Sequence, residues 1–194
     1  KWTQVKYLDL SLNQGVNDEV VEAVAEHCKS VTNLNLRGSV ITDAAIQSLS
    51  SGCRHLKFLD TSACNSLKSF PGLGQIEGLL RLSSPEIQTL DVSLLVPQCV
   101  QLGTSLKFIT KYDLSWTNIT DECIEALLSQ AFWLAHLSVI SCSALTNKTI
   151  HAVIKLLSHP LYTASFFSLG ICKTPLITDS ALREIKQRFC PVSL

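Results

Sequence analysis

The stretch "YDLSWTNITDECIEAL", Tyr112 to Leu127, decides the fold, because its pattern recurs along the chain. "LDLSLNQGVNDEVVEAV" runs from Leu8 to Val24, and "LNLRGSVITDAAIQSL" from Leu34 to Leu49. Each begins with apolar and polar residues in alternation, the period of a strand with one buried face. A polar turn follows, then Thr or Asn with Asp. Apolar residues three and four apart come next, which is the spacing of one helix face. The Thr or Asn can accept a backbone N–H at the start of that helix. The Asp after it suits the positive end of the helix dipole.

Aligned on apolar-x-x-apolar-x-apolar, the pattern falls at Val5-Leu8-Leu10, Val31-Leu34-Leu36, Leu56-Leu59-Thr61 and Ile87-Leu90-Val92. It continues at Ile109-Tyr112-Leu114, Leu134-Leu137-Val139 and Ala164-Phe167-Leu169. The starts lie 26, 25, 31, 22, 25 and 30 residues apart, so the regular unit is 25 or 26 residues. The helical halves carry Val20, Val21 and Val24; Ala45, Ile46 and Leu49; Ile124, Leu127 and Leu128; Ile150, Val153 and Ile154; and Leu182 with Ile185. One such unit cannot bury its apolar face alone, whereas stacked copies bury each other's.

The pattern resembles the cysteine-containing class of leucine-rich repeats, whose unit is about 26 residues. "CKSV" from Cys28, "CRHL" from Cys53 and "FCPV" around Cys190 match that class's helix end. Cys64, Cys142 and Cys172 stand three residues after the third strand position, where the class places Cys or Asn. The resemblance implies an α/β leucine-rich-repeat solenoid, with a parallel inner sheet and outer helices. The chain reads as one array of about seven repeats over 1–194, irregular at 69–103, where the Ile-Thr-Asp turn is missing.

Composition bounds the function. Formal net charge is zero, which argues against nucleic acid or an anionic membrane as the main partner. Only 16% of the residues are charged and mean hydropathy is +0.26, a high apolar load that implies extensive burial or surfaces normally covered. No apolar run reaches the roughly 18 residues of a spanning helix, and "KWTQVKYLDL" is no signal peptide. The chain contains no Met and is read as a segment of a longer protein.

The eight cysteines follow the repeat rather than a bridge pattern. They are expected as small, buried, reduced thiols, which fits the cytosol or the nucleus. Cys142 and Cys172 are expected on stacked positions. No C-x-x-C pair exists, and His27, Cys28, Cys53 and His55 have no second ligand pair nearby, so no metal or other cofactor is expected. Asn118-Ile-Thr and Asn147-Lys-Thr meet the glycosylation sequon, but both coincide with the turn that the repeat requires.

Side chains between the buried strand positions point into the concavity, the usual binding face of solenoids. One row holds Tyr7, Asn33, Phe58, Thr89, Lys111, His136 and Phe166. The next holds Asp9, Asn35, Asp60, Asp91, Asp113, Ser138 and Ser168. The last holds Ser11, Arg37, Ser62, Ser93, Ser115, Ile140 and Gly170, with Trp116 one residue further on. Asp60, Asp91 and Asp113 would stack as like charges, which costs energy unless cations or donors compensate. Two readings of that row stay open: an acidic groove for a partner's basic segment, or carboxylates bonded to neighbouring Ser hydroxyls. Tyr7, Phe58, Trp116 and Phe166 are candidate hot spots on the same face.

No catalytic constellation emerges. The chain has no G-x-S-x-G, no H-E-x-x-H and no Gly-rich phosphate loop. His136 can be drawn beside Cys142 or Asp113, yet the repeat expects Cys142 to be buried. The expected function is therefore protein binding without an enzymatic activity. The resemblance implies the substrate-recognition part of an SCF-type ubiquitin ligase, reached through a cullin-RING adaptor by an F-box that is not in this chain. A non-catalytic scaffold subunit is the alternative, favoured by ends that lack polar caps. A GTPase regulator is disfavoured, because that type uses longer units of about 28 to 29 residues.

Overall fold

A computed structural model of the protein describes residues 2, 4–73, 76, 79, 81–83, 109–129, 131–164, 167–189 and 192–193. The strands are β1 (Tyr7–Asp9), β2 (Asn33–Asn35), β3 (Phe58–Asp60), β4 (Arg81–Ser83), β5 (Lys111–Asp113), β6 (His136–Ser138), β7 (Phe167–Gly170) and β8 (Val192–Ser193). They form one eight-stranded sheet in sequence order, each strand parallel to the next. The helices are α1 (Asp18–His27), α2 (Asp43–Gly52), α3 (Asp121–Leu128), α4 (Asn147–Leu157) and α5 (Asp179–Arg188). The fold is the expected leucine-rich-repeat solenoid. The eighth strand extends the seven units read from the sequence, in the "CPVSL" tail.

The core is a column of one apolar residue per strand. Leu34, Leu59, Leu82, Tyr112, Leu137 and Leu169 are adjacent in register and at most 2% exposed. The helices lay their apolar faces behind it: Val21, Val24 and Ala25 in α1, Ala45, Ile46 and Leu49 in α2, Ile124 and Leu127 in α3. Asn17, Thr42, Thr146 and Thr178 cap their helices as expected, each side chain accepting a backbone N–H of the first turn. Thr120 stands at the same position in front of α3 without such a bond.

The acidic residue that opens α1, α2 and α3 has a role beyond the dipole. Asp18 accepts the Thr42 N–H at 2.7 Å and its hydroxyl at 2.6 Å, across to the next repeat. Asp43 does the same for the N–H groups of Lys68 and Ser69 at 2.8 and 2.9 Å. Asp121 grips Thr146 and Thr149, and the Asn147 side-chain oxygen takes the Thr178 N–H at 2.9 Å. These four repeats thus tie down the turns of their successors. Charge-assisted bonds of this kind fix register, because a carboxylate left unpaired there is costly.

Between β3 and β4 the described residues include no α-helix. Phe70-Pro71-Gly72-Leu73 makes a turn, with Gly72 at φ 70° and the Leu73 N–H returning to the Phe70 carbonyl at 3.4 Å. Pro then Gly at the two centre positions is the type II signature. Further three-residue steps follow: Ile76 N–H to Leu73, then Leu79 N–H to Ile76, both at 3.1 Å. Phe70, Leu73, Ile76 and Leu79 are all buried on that spacing.

This short segment corrects the fourth strand. The alignment centred it on Leu90, whereas it is Arg81–Ser83, and Leu82 pairs with Leu59 and Tyr112. Thr89, Asp91 and Ser93 lie outside the described residues. β7 is corrected by two positions. Leu169, expected as the third strand position, pairs with Leu137, the second. A two-residue slip keeps the same side chains on the core face, so alternation alone cannot detect it. Ser168 therefore stands beside His136, and Gly170 beside Ser138.

Helices α1 and α2 approach closely at Gly52, where an added Cβ would lie 2.3 Å from the Ala25 carbonyl oxygen. Backbone, not a flexible side chain, blocks that position. Gly52→Ala is expected to cost about 1–3 kcal/mol through forced separation of the helices. Urea unfolding measures it; an unchanged midpoint would mean that the two helices do not pack in this way.

Candidate functional site

The face of the sheet opposite the helices carries three rows of outward side chains. Tyr7, Asn33, Phe58, Lys111, His136 and Ser168 form the first, with Arg81 at the register position between Phe58 and Lys111. Asp9, Asn35, Asp60, Asp113, Ser138 and Gly170 form the second, with Ser83 between Asp60 and Asp113. Ser11, Arg37, Ser62, Ser115 and Ile140 follow two residues further along. Phe166 lies outside the described residues.

The expected stack of Asp60, Asp91 and Asp113 is corrected. The neighbour of Asp60 is Ser83, and carboxylates alternate with neutral residues across the sheet: Asp9, Asn35, Asp60, Ser83, Asp113, Ser138. Asp60 and Asp113 sit two strand spacings apart, about 10 Å, so no like charges are direct neighbours there. Each carboxylate also closes a local turn. Asp9 accepts the Ser11 N–H at 2.9 Å, Asp60 the Ser62 N–H at 2.9 Å together with its hydroxyl, and Asp113 the Ser115 hydroxyl at 2.8 Å. Asn35 does the same for the Arg37 N–H at 3.1 Å. Hydrogen bonds from the Ser11 side chain and backbone hold the Asp9 carboxyl below its ordinary value. The carboxylates are thus bonded to neighbouring Ser groups, which does not exclude an acidic groove, because each keeps further acceptor positions.

These turns lead into a row of left-handed residues: Leu12, Gly38, Ala63, Trp116, Ser141 and Lys173, at φ 53° to 68°. The repeat imposes that conformation even on bulky side chains. Leu12 and Trp116 are exposed there at 75% and 45%, and the Lys173 ammonium lies 5.6 Å from the centre of a Trp116 ring. Neither Lys173 nor Leu12 was singled out from sequence, because the left-handed turn carries no glycine signal at either position.

At the β1–β3 end the face dips into a groove of about 520 Å3. Tyr7, Asn33, Phe58, Asp9, Asn35 and Asp60 line it, with Lys111 at the far side. Tyr7, Asp9, Asn35, Phe58, Asp60 and Lys111, named from sequence, are thereby brought together. Arg37, Asp113, Trp116 and His136 lie on the same face outside the groove's lining.

Among the described residues no cluster of three or more His, Cys, Asp or Glu residues could hold a metal ion. The Cys142 thiol is buried, donates to the Leu114 carbonyl at 3.2 Å, and burial pushes its pKa up. Burial likewise pushes Cys53 and Cys64 to about 11, values that keep a thiol protonated and unreactive. Cys172, expected under Cys142, is instead exposed, and Thr174 takes the buried place. No disulfide joins the six described cysteines. Peptide-resolved iodoacetamide labelling of the folded protein should mark Cys172 and spare Cys53, Cys64 and Cys142 until the chain unfolds. Equal labelling of Cys64 would contradict the buried ladder. The Asn147 sequon side chain is committed to Thr178. Among the described residues no helix is long and apolar enough to cross a membrane.

The leucine-rich-repeat family model matches the sequence at residues 3–25 and 27–50, the first two units. No curated protein matches the chain.

Proposed function

Because the chain is a leucine-rich-repeat protein, we propose that the open face of its sheet is a docking surface for another polypeptide. The observation that carries this is the groove on that face, rimmed by an exposed Tyr7 and a half-buried Phe58. Aromatic side chains with polar neighbours are what binding hot spots use. The reading involves no catalysis by this chain.

More finely, the module serves as the substrate-recognition part of an SCF-type ubiquitin ligase, with an F-box elsewhere in the full protein binding the cullin-RING adaptor. The cysteine-containing repeat supports this, as do core thiols spent on carbonyls rather than on bridges, which suit the cytosol or nucleus. Affinity purification of the full-length protein should recover adaptor and cullin in comparable amounts. Their absence would reject the ligase assignment and leave the docking face intact.

A further inference from the structure

The groove at β1–β3 has a chemical asymmetry that specifies its occupant, given the docking reading above. Tyr7 and Phe58 flank Asn33 in one row, and Asp9 and Asp60 flank Asn35 in the next. Two aromatic residues and two carboxylates thus mark the corners of a site about 10 Å across the strands and about 7 Å along them. Each carboxylate spends Oδ1 on its own turn, which leaves acceptor capacity, since an ionised carboxyl has about four acceptor positions. Lys111 stands at the far side of the groove, two strands beyond Phe58. Negative charge therefore lies at β1–β3 and positive charge beyond it, with Arg81 at the β4 register position and Lys111 on β5. Arg37 sits one row beyond Asn35 and Asp113 beside Lys111, both outside the groove's lining.

An arginine side chain fits this pattern. Its alkyl stem can lie on apolar surface while its planar head stacks on an aromatic face and reaches a carboxylate. A second cation would be repelled at Lys111 and an acidic residue attracted. From the middle of the acidic site, over β2, to β5 is three strand spacings, about 14 Å, or about four residues of extended chain. We infer that the groove takes an arginine of an extended polypeptide segment between Tyr7, Phe58, Asp9 and Asp60, with an acidic residue about four positions away against Lys111.

The test is a random-peptide phage library selected on the whole chain, followed by fluorescence titration of the synthetic winning peptide at low salt. Three variants accompany it. Asp9→Asn with Asp60→Asn removes both charges and keeps the turns, because Asn35 already makes the same turn bond. Asn33→Trp fills the groove between Tyr7 and Phe58. Arg→Gln is made in the peptide. The expected winners share an arginine with Asp or Glu about four positions off. The peptide exchange and the double Asn variant should each weaken binding about tenfold or more, and Asn33→Trp should abolish it. Peptides that Asn33→Trp excludes, but that carry no arginine and ignore the double Asn variant, overturn the inference and leave the docking reading standing. A selection that yields no binder, or only binders indifferent to every variant, overturns both.

Discussion

Leu137→Asp is expected to leave no cooperatively folded protein. Leu137 is fully buried in β6, with Tyr112 and Leu169 on either side of it in the sheet. A carboxylate there would have apolar neighbours and no partner, and an uncompensated buried charge costs several kcal/mol even after it protonates or shifts. The lost leucine adds a cavity term of about 2–5 kcal/mol. Together these approach the whole stability of an ordinary domain, about 5–15 kcal/mol. Because repeats stabilise one another through their interfaces, a break in the middle separates the array into two halves. Circular dichroism should show lost helix, and urea unfolding should lose its cooperative transition. Leu137→Ala, which creates the cavity alone, should stay folded with a lower midpoint. A Leu137→Asp protein that unfolds like the parent would contradict the burial of β6.

Asp121→Ala is expected to cost about 2–4 kcal/mol, because it strands donors of the next repeat. The Asp121 carboxylate accepts the Thr146 hydroxyl at 2.7 Å, the Thr149 hydroxyl at 2.6 Å, and both backbone N–H groups at 3.1 Å. Burial alone would raise its pKa, but the bonds from Thr149 and Thr146 outweigh that and hold it below the ordinary value. A folded-state pKa below the unfolded one sets the sign. The contribution is complete above the unfolded carboxylate value, near 3.9, and is lost as pH falls through the lower folded value. The stability gap between parent and Asp121→Ala should therefore be largest near neutrality and narrow in acid. Asp121→Asn should fall between them, since Asn147 holds Thr178 at 2.9 Å with an amide oxygen. A gap that does not change between pH 7 and pH 3 would mean that the ionised carboxylate is not what ties α3 to the following turn.

Much of this architecture was legible in the recurring turn. Ile41-Thr42-Asp43 and Ile119-Thr120-Asp121 announce a buried residue, a cap position and an acidic helix start, and each lies where local chemistry places it. The second job of the Asp, holding the next repeat, was not legible, because its partners lie 24 to 28 residues away. β4 was missed because Pro71 and Gly72 make a turn after β3 and the unit carries no Ile-Thr-Asp marker. The β7 slip arose because Phe167 and Leu169 both face the core, so alternation fits either register. That slip also misplaced Cys172. On the candidate face, the residues around Tyr7 and Asp60 were found because the first three repeats are regular. The alternation of charge was hidden by the displaced β4, which put Asp91 where Ser83 stands.

The docking role of the open face is tested most directly by site-specific photo-crosslinking in cells with the full-length protein. A photoreactive residue is placed at Asn33 or His136 on the open face, and at Glu22 or His151 on exposed positions of α1 and α4. Discrete polypeptide adducts from Asn33 and His136, and none from Glu22 and His151, are the predicted result. Adducts from the helical positions alone would contradict it.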